Sequence, residues 1–75
     1  MIKLYSTPTC PYCEMAKNYF KEKNVEFEVY DISADEKAQK EMVEVSKQIT
    51  VPVIDINGKI IIGFNRAEID KILNL

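Results

Sequence analysis

Two cysteines, Cys10 and Cys13, stand three residues apart in the tetrad Cys10-Pro11-Tyr12-Cys13, and they are the only cysteines of the chain. An apolar stretch precedes the tetrad and apolar residues at helical spacing follow it, so Cys10 is predicted at the first turn of a helix. There, unpaired N–H groups and the positive end of the macrodipole favour a thiolate over a thiol. Pro11 suits the first helical position, where no N–H is needed. Cys13 lies on the same helical face, close enough for a disulfide, so the pair is predicted to switch between dithiol and disulfide.

Three other interpretations compete with a redox pair. Two cysteines are too few for the disulfide framework of a secreted domain, and no signal peptide is recognisable. A zinc site needs about four ligands, but the chain has two cysteines and no histidine. A four-ligand zinc site would therefore need a second copy of the chain or carboxylate ligands. Two inert buried thiols would not need a helix start with a proline between them. The absence of histidine also excludes a cysteine-protease arrangement, so the redox pair is favoured.

Length and composition indicate one small domain that spans residues 1–75. A hydrophobic content of 47% with 29% charged residues is ordinary for a soluble globular protein. The net charge of −2 gives no reason to expect nucleic acid or an anionic membrane as partner. No apolar stretch approaches the roughly 18 residues that cross a bilayer. A cytoplasmic monomer is therefore expected, and in that reducing compartment such a cysteine pair is catalytic more often than structural.

The apolar patterns predict seven elements in the order β-α-β-α-β-β-α. The first strand covers Met1 to Tyr5, and the first helix runs from the tetrad to about Lys23. Val25, Phe27 and Val29 then alternate with polar residues as a second strand. A strand, a helix and a strand in succession predict a right-handed crossover between parallel strands.

The second half of the chain predicts a helix, a hairpin and a last helix. Ser33 or Asp35 is predicted to cap the second helix, and Asn57-Gly58 is the strongest two-residue signal for a type I′ hairpin. The last helix begins near Asn65, with Glu68 completing a capping box. An α/β fold follows, with a four-stranded mixed sheet and helices on both faces. The predicted hairpin strands are Val53–Ile56 and Lys59–Ile62, and the apolar helix positions are Ala34, Ala38, Met42 and Val45, then Ile69, Ile72 and Leu73.

This order, with Cys-x-x-Cys at the first strand-to-helix turn, resembles the thioredoxin fold in its minimal form. The sequence is similar to glutaredoxins over essentially its whole length. Cys-Pro-Tyr-Cys is the motif typical of dithiol glutaredoxins, and Thr50-Val51-Pro52 matches the family's Thr-Val-Pro, whose proline is cis and faces the cysteines. The resemblance implies an enzyme that reduces protein disulfides and glutathione mixed disulfides. Cys10 would be the nucleophile and Cys13 the resolving thiol, with glutathione as co-substrate and no metal.

The same resemblance implies a glutathione groove beside the tetrad. If the bond before Pro52 is cis, the N–H and C=O of Val51 can pair with an extended peptide. Tyr12 is predicted to wall the groove, and Gly63 to approach the ligand closely or to turn the chain into the helix. Asn65 opens a helix whose free N–H groups can hold a carboxylate. An exposed turn aromatic and a plain helix cap remain the alternatives for Tyr12 and Asn65. The predicted groove set is Tyr12, Thr50, Val51, Pro52, Gly63 and Asn65.

Two positions depart from the glutaredoxin pattern. Thr7 stands where the family usually has a lysine, and Gly63-Phe64 stands where it usually has Gly-Gly. Phe64 is expected to crowd the point that would admit a carboxylate, while Lys47 or Arg66 could replace the missing cation. Gly-Phe is more typical of glutaredoxin-like hydrogen donors of ribonucleotide reductase, which thioredoxin reductase reduces. That reductant is one alternative hypothesis, and an iron–sulfur cluster bridged through Cys10 and glutathione is another.

Overall fold

The computed structural model describes residues 2–74, and its elements follow the predicted order. The strands run in the spatial order β2-β1-β3-β4. β1 is parallel to β2 and antiparallel to β3, which pairs with β4 as a hairpin. The predicted mixed sheet is therefore confirmed, whereas Met1, predicted in the first strand, lies outside the described residues. The elements are β1 Ile2–Ser6, α1 Pro11–Glu22, β2 Glu28–Asp31, α2 Glu36–Ser46, β3 Val53–Ile56, β4 Lys59–Ile62 and α3 Arg66–Leu73.

Successive side chains of each strand point to opposite faces of the sheet. Helices cover both of these faces. On one face, Leu4 packs in a buried cluster with Phe20 of α1 and Ile69 of α3. On the other face, Tyr5 packs with Met42 of α2. β1 is therefore an interior strand with both faces buried. The loop that leads to the tetrad begins at the end of this rigid strand. Among residues 2–74, no helix has the length and apolarity that a membrane span requires.

The second strand is shorter than its sequence pattern predicted. Val25 and Phe27 precede β2 and pack against the core from irregular backbone. The ring centre of Phe27 lies 5.3 Å from that of Phe20. The first ladder pair joins Glu28 to Lys3, one residue after the start of β1, so the chain before Glu28 has almost no strand beside it. The alternating pattern therefore predicted the partial burial of Val25 and Phe27 correctly, but it was wrong for Val29, which is 43% exposed, and for the start of the strand.

Asp35, and not Ser33, caps α2. The Asp35 carboxylate accepts hydrogen bonds from the N–H groups of Lys37 and Ala38, at 3.0 and 3.2 Å. Ser33 instead donates to the Asp31 carboxylate from its own N–H at 2.9 Å. The two candidate caps therefore serve different turns, and only Asp35 satisfies the N–H groups at the helix start.

The buried stripe of α2 also differs from the predicted one. Ala38 and Met42 are buried as predicted, but Ala34 precedes the helix and is exposed, and Val45 is exposed as well. The third buried position is Ser46, whose hydroxyl donates to the Met42 carbonyl at 2.6 Å. Burial follows a spacing of four residues along this helix. Ser46 is tolerated there because its one polar group is satisfied locally.

The hairpin and the start of α3 agree with their sequence signals, although within residues 2–74 the Glu68 side chain does not form the bond to the Asn65 N–H that would complete the predicted capping box. Asn57 and Gly58 have φ values of 51° and 95°, and a type I′ turn requires positive φ at both central residues. The Asn65 side chain caps α3 by accepting from the N–H of Glu68 at 3.2 Å. Ile69 is fully buried, and Ile72 and Leu73 pack against the same cluster.

A polar contact anchors α2 to the sheet and yields a stability prediction. The hydroxyl of buried Tyr5 donates to Glu41 Oε1 at 2.6 Å, and Lys3 Nζ lies 3.1 Å from the same oxygen. These hydrogen bonds, that of Tyr5 first, lower the pKa of Glu41. We expect Tyr5→Phe to reduce the free energy of unfolding by about 1 kcal/mol at pH 7. Urea denaturation measures this loss, with Tyr30→Phe as the matched control because Tyr30 stacks on Tyr5 without bonding to Glu41.

The same contact predicts a pH dependence with a defined sign. A lowered carboxyl pKa contributes stability above the ordinary glutamate value of about 4.3, and that stability is lost as pH falls through the folded value. The difference in unfolding free energy between wild type and Tyr5→Phe should therefore shrink between pH 5 and pH 3. A difference that stays constant over this range would contradict the role given to Tyr5.

Candidate active site around Cys10 and Cys13

Cys10 occupies the cap position of α1, one residue before the first helical turn. Its backbone is extended, and Pro11 takes the first helical position as predicted. The Cys10 sulfur accepts a hydrogen bond from the N–H of Cys13 at 3.2 Å. Its carbonyl accepts the N–H of Glu14, also at 3.2 Å. Cys10 thus performs the task of a capping serine with a sulfur, and the helix N-terminus stabilises negative charge on that sulfur.

The two thiols differ in exposure. Both are free cysteines, with Cys10 partly exposed and Cys13 fully buried. Burial raises the pKa of Cys13 to about 12, and the hydrogen bond to Cys10 adds to that rise. The backbone of Thr7 and the charge of Lys17 act in the opposite direction. At neutral pH, Cys13 is therefore a protonated inner thiol beside an accessible outer one.

This asymmetry predicts selective alkylation. We expect iodoacetamide at pH 8 to modify Cys10 and to leave Cys13 intact, as read by mass spectrometry of tryptic peptides. In Cys10→Ser, the remaining thiol should stay unreactive at pH 8, because burial, the largest cause of its raised pKa, is unchanged. Because that pKa is raised, the Cys13 contribution to stability is present below the unfolded thiol value of about 8.5 and is lost as pH rises towards 12. Comparable modification of both thiols at pH 8 would contradict this assignment.

The Thr50-Val51-Pro52 segment reaches the same end of the sheet as the tetrad. Tyr5 of β1 lies opposite Val53 of β3, so the chain that leaves β1 and the chain that enters β3 meet at one sheet end. The Val51–Pro52 peptide bond is cis, as the resemblance implied, and Pro52 is buried. Because β3 is an interior strand, Pro52 lies in the loop before the strand and not on a sheet edge.

Gln48, which sequence reasoning missed, organises the loop before Pro52. Its side-chain oxygen accepts the Thr50 N–H at 2.6 Å, and its side-chain nitrogen donates to the Thr50 carbonyl at 3.1 Å. The Thr50 hydroxyl also bonds to Gln48. Ile49 is held between them with 74% of its surface exposed. A glutamine in a polar loop carries no sequence signal for this role, because the contacts depend on the folded path of the backbone.

The chain from Gly63 to Asn65 joins this sheet end to α3. The N–H of Gly63 donates to the Pro52 carbonyl at 2.8 Å, and its φ of +84° is one that glycine adopts readily. A β-carbon at Gly63 would meet no neighbouring atom within 4 Å, so the positive φ, and not crowding, accounts for the glycine. Asn65 caps α3, as described above.

Phe64 packs into the core. It contacts the cluster beneath α1 and α3, and its ring meets that of Tyr19 edge-on with 5.9 Å between ring centres. The expectation that Phe64 crowds a carboxylate site therefore finds no support in its packing. The guanidinium of Arg66 lies 5.1 Å from the centre of the same Tyr19 ring, so this candidate replacement cation is engaged between α1 and α3.

A shallow cavity of about 300 Å³ opens beside Cys10. The predicted groove wall, Tyr12, does not line it, and the Tyr12 side chain is 62% exposed to solvent. Sequence reasoning missed the other lining residues, because prolines and an acidic residue near a helix start are ordinary in themselves. Within residues 2–74, no group of three or more cysteine or carboxylate side chains is placed to hold a metal ion. The cavity is lined by Pro8, Thr9, Cys10, Pro11 and Glu14.

Comparison with known proteins agrees with this geometry. The glutaredoxin family model matches residues 2–61. An uncharacterized glutaredoxin-like 8.6 kDa protein in the rubredoxin operon of Clostridium pasteurianum is 55% identical over 73 residues, which cover 97% of each chain. Glutaredoxin 3 of Escherichia coli strain K12 is 36% identical over 62 residues, covering 83% of this chain and 75% of the relative.

Solved structures share the fold. A mutant of the thioredoxin-like protein BC3987 superposes with a TM-score of 0.92 at 29% identity, covering 97% of this chain and 94% of the other. The matched family region contains the cysteine tetrad, the cis-proline segment and all of the following hairpin except Ile62. The chain therefore belongs to the glutaredoxin family.

Proposed function

We propose that the protein is a glutathione-dependent oxidoreductase that reduces protein disulfides and glutathione mixed disulfides through Cys10 and Cys13. The coarser activity, thiol–disulfide exchange, is that of the family. One observation carries the assignment of roles: the sulfur of partly exposed Cys10 accepts the Cys13 N–H at 3.2 Å, while Cys13 is fully buried. A nucleophile must reach its substrate, and a resolving thiol must stay close without competing for it.

The reaction begins with the outer thiol. The Cys10 thiolate attacks one sulfur of the substrate disulfide, the substrate S–S bond breaks, and the departing sulfur leaves as a thiolate that takes up a proton. Cys13 then loses its proton and attacks the Cys10 sulfur of the mixed disulfide, which releases the second substrate thiol. Two electrons have passed from the dithiol to the substrate, and the protein ends as the Cys10–Cys13 disulfide.

The timing of the second step follows from the acidity of Cys13. The hydrogen bond to Cys10 and the negative charge of Cys10 both contribute to the raised pKa of Cys13. Formation of the mixed disulfide removes that charge, so two of the causes that hold the proton on Cys13 disappear when its thiolate is needed. In the monothiol route, a glutathione thiolate attacks the Cys10 mixed disulfide instead.

Glutathione is proposed as reductant because the site offers backbone groups to a tripeptide. Within residues 2–74, the N–H and C=O of Val51 form no backbone hydrogen bond, and the first turn of α3 has N–H groups beyond the one that Asn65 caps. Thr7 cannot supply the charge of a lysine. A missing charge-assisted hydrogen bond is worth roughly 1.5–3 kcal/mol, or about one to two decades of affinity. We therefore propose weaker glutathione binding than a lysine would give, in the reducing cytoplasm.

A reductant assay tests the proposal. The protein and a disulfide substrate are mixed with NADPH and either glutathione plus glutathione reductase or thioredoxin reductase alone, and NADPH consumption is followed. We expect turnover with glutathione, and about tenfold higher kcat/KM for glutathione in Thr7→Lys. Gln39→Lys, on the exposed side of α2, adds the same charge elsewhere and should change nothing. Efficient reduction by thioredoxin reductase alone, with none by glutathione, would instead identify a hydrogen donor of the thioredoxin-reductase type.

A further inference from the structure

Among residues 2–74, Glu14 is the only charged residue that lines the cavity beside Cys10. It lies four residues after Cys10, and residues at this spacing share one side of a helix. Its side chain is 64% exposed, with Lys17 Nζ 3.5 Å from the carboxylate. The Lys17 side chain is 24% exposed, so solvent reaches the pair mainly from the Glu14 side and weakens it there. The carboxylate can therefore exchange Lys17 for a cation on an incoming chain.

A second carboxylate reinforces the negative charge at this end of the sheet. Asp31 lies opposite Ser6 in the ladder, at the sheet end from which the tetrad emerges. Hydrogen bonds from Ser33 lower the pKa of Asp31, so it stays ionised well into the acid range. Of the cations considered for glutathione, Arg66 is engaged on the Tyr19 ring. Lys17 is a positive charge in the same place, since it acts on Cys13 and Asp31 and pairs with Glu14. Two carboxylates against this one lysine favour basic ligands over anionic ones.

Apolar side chains stand exposed on the elements that carry this site. Tyr12 and Met15 of α1 are 62% and 48% exposed, and Ile49 is held outward by the Gln48 hydrogen bonds. Exposed Pro8 and Pro11 line the cavity itself. A polypeptide can cover such apolar residues while presenting a charge to Glu14, whereas a small anionic thiol can do neither well.

We infer that Glu14 selects disulfide-bearing protein segments in which a lysine or arginine adjoins the cysteine. The inference deepens the proposed function and rests on it. The substrate sulfur enters the cavity towards Cys10, and the neighbouring ammonium or guanidinium group takes the place of Lys17 at the Glu14 carboxylate. Glutathione then serves as a weakly bound reductant, while substrate choice is made by this carboxylate.

The test uses single turnovers of the fully reduced protein. Each turnover converts one peptide disulfide to two peptide thiols and the Cys10–Cys13 dithiol to its disulfide, so no other reductant is needed. The substrates are the disulfide dimers of two pentapeptides that differ only in the residues beside the cysteine, lysine in one and glutamate in the other. Rates are normalised to those of β-mercaptoethanol with each peptide, which removes the intrinsic reactivity of the disulfides.

We expect the lysine peptide to react about tenfold faster than the glutamate peptide at low ionic strength, and the ratio to fall towards one in about 0.5 M salt. Glu14→Gln should reduce the ratio to about threefold or less. Glu22→Gln, at the far end of α1, removes the same charge and should preserve the wild-type ratio.

Two results would overturn the inference in distinguishable ways. Equal normalised rates for the two peptides, or a ratio that survives Glu14→Gln, would refute selection by Glu14 and leave the proposed function standing. Failure of the reduced protein to react with either peptide would refute the proposed function itself, and the inference with it.

Discussion

Cys10→Ser should reduce disulfide turnover to the uncatalysed background. The only other cysteine of the chain, Cys13, is fully buried, with a pKa raised to about 12. It cannot take over the attack on a substrate at neutral pH. A serine hydroxyl accepts the same N–H at the helix start but forms no mixed disulfide. The assay follows NADPH consumption with glutathione, glutathione reductase and a disulfide substrate.

Two controls separate lost chemistry from lost structure. Urea denaturation of Cys10→Ser should give a free energy of unfolding within about 1 kcal/mol of wild type, since serine is a good helix cap. Adding Ser33→Cys to this variant places a thiol on the surface outside any helix start. It should restore no turnover. Residual catalysis above background in Cys10→Ser would show that Cys10 is not the required nucleophile.

Cys13→Ser should separate the two routes of reduction. Without the inner thiol, the mixed disulfide on Cys10 cannot be resolved internally, so single-turnover reduction of a protein disulfide should stop at that stage. Reduction of a glutathionylated substrate should persist within about tenfold of wild type, because glutathione resolves Cys10 directly. The hydrogen bond to the Cys10 sulfur comes from the backbone N–H of residue 13 and survives the substitution. Rapid-quench mass spectrometry distinguishes the stalled adduct from released product.

Loss of both activities in Cys13→Ser would mean that the inner thiol does more than resolve mixed disulfides. Gln39→Lys serves as the control for effects of substitution and purification, since Gln39 lies on exposed helix surface. It should keep both activities.

Local sequence signals predicted the features that depend on a few neighbouring residues. Pro11 and Cys10 start a helix because the first helical turn needs no proline N–H and uses an acceptor at its cap. Asn57-Gly58 form the hairpin turn because both tolerate positive φ. Asn65 caps α3 for the same local reasons as Cys10. The cis bond before Pro52 was implied by family resemblance, not by local chemistry.

Features that depend on distant residues could not be predicted. The start of β2 at Glu28 is set by its pairing with Lys3, and the packing of Phe64 is set by Tyr19. Likewise, Glu14 became a candidate specificity residue only when the cavity beside Cys10 was known. A charged residue in the first turn of a helix is ordinary, and its meaning here comes from what the fold places next to it.

Mass spectrometry after reaction of reduced protein with a peptide disulfide tests the central assignment most directly. In Cys13→Ser, we predict one peptide bound through a reducible disulfide to Cys10, and one equivalent of free peptide thiol. In wild type, we predict two equivalents of peptide thiol and a protein whose mass has fallen by two hydrogens through a Cys10–Cys13 disulfide. Unmodified Cys13→Ser protein, or wild type that retains bound peptide, would contradict the roles of Cys10 as nucleophile and Cys13 as resolving thiol.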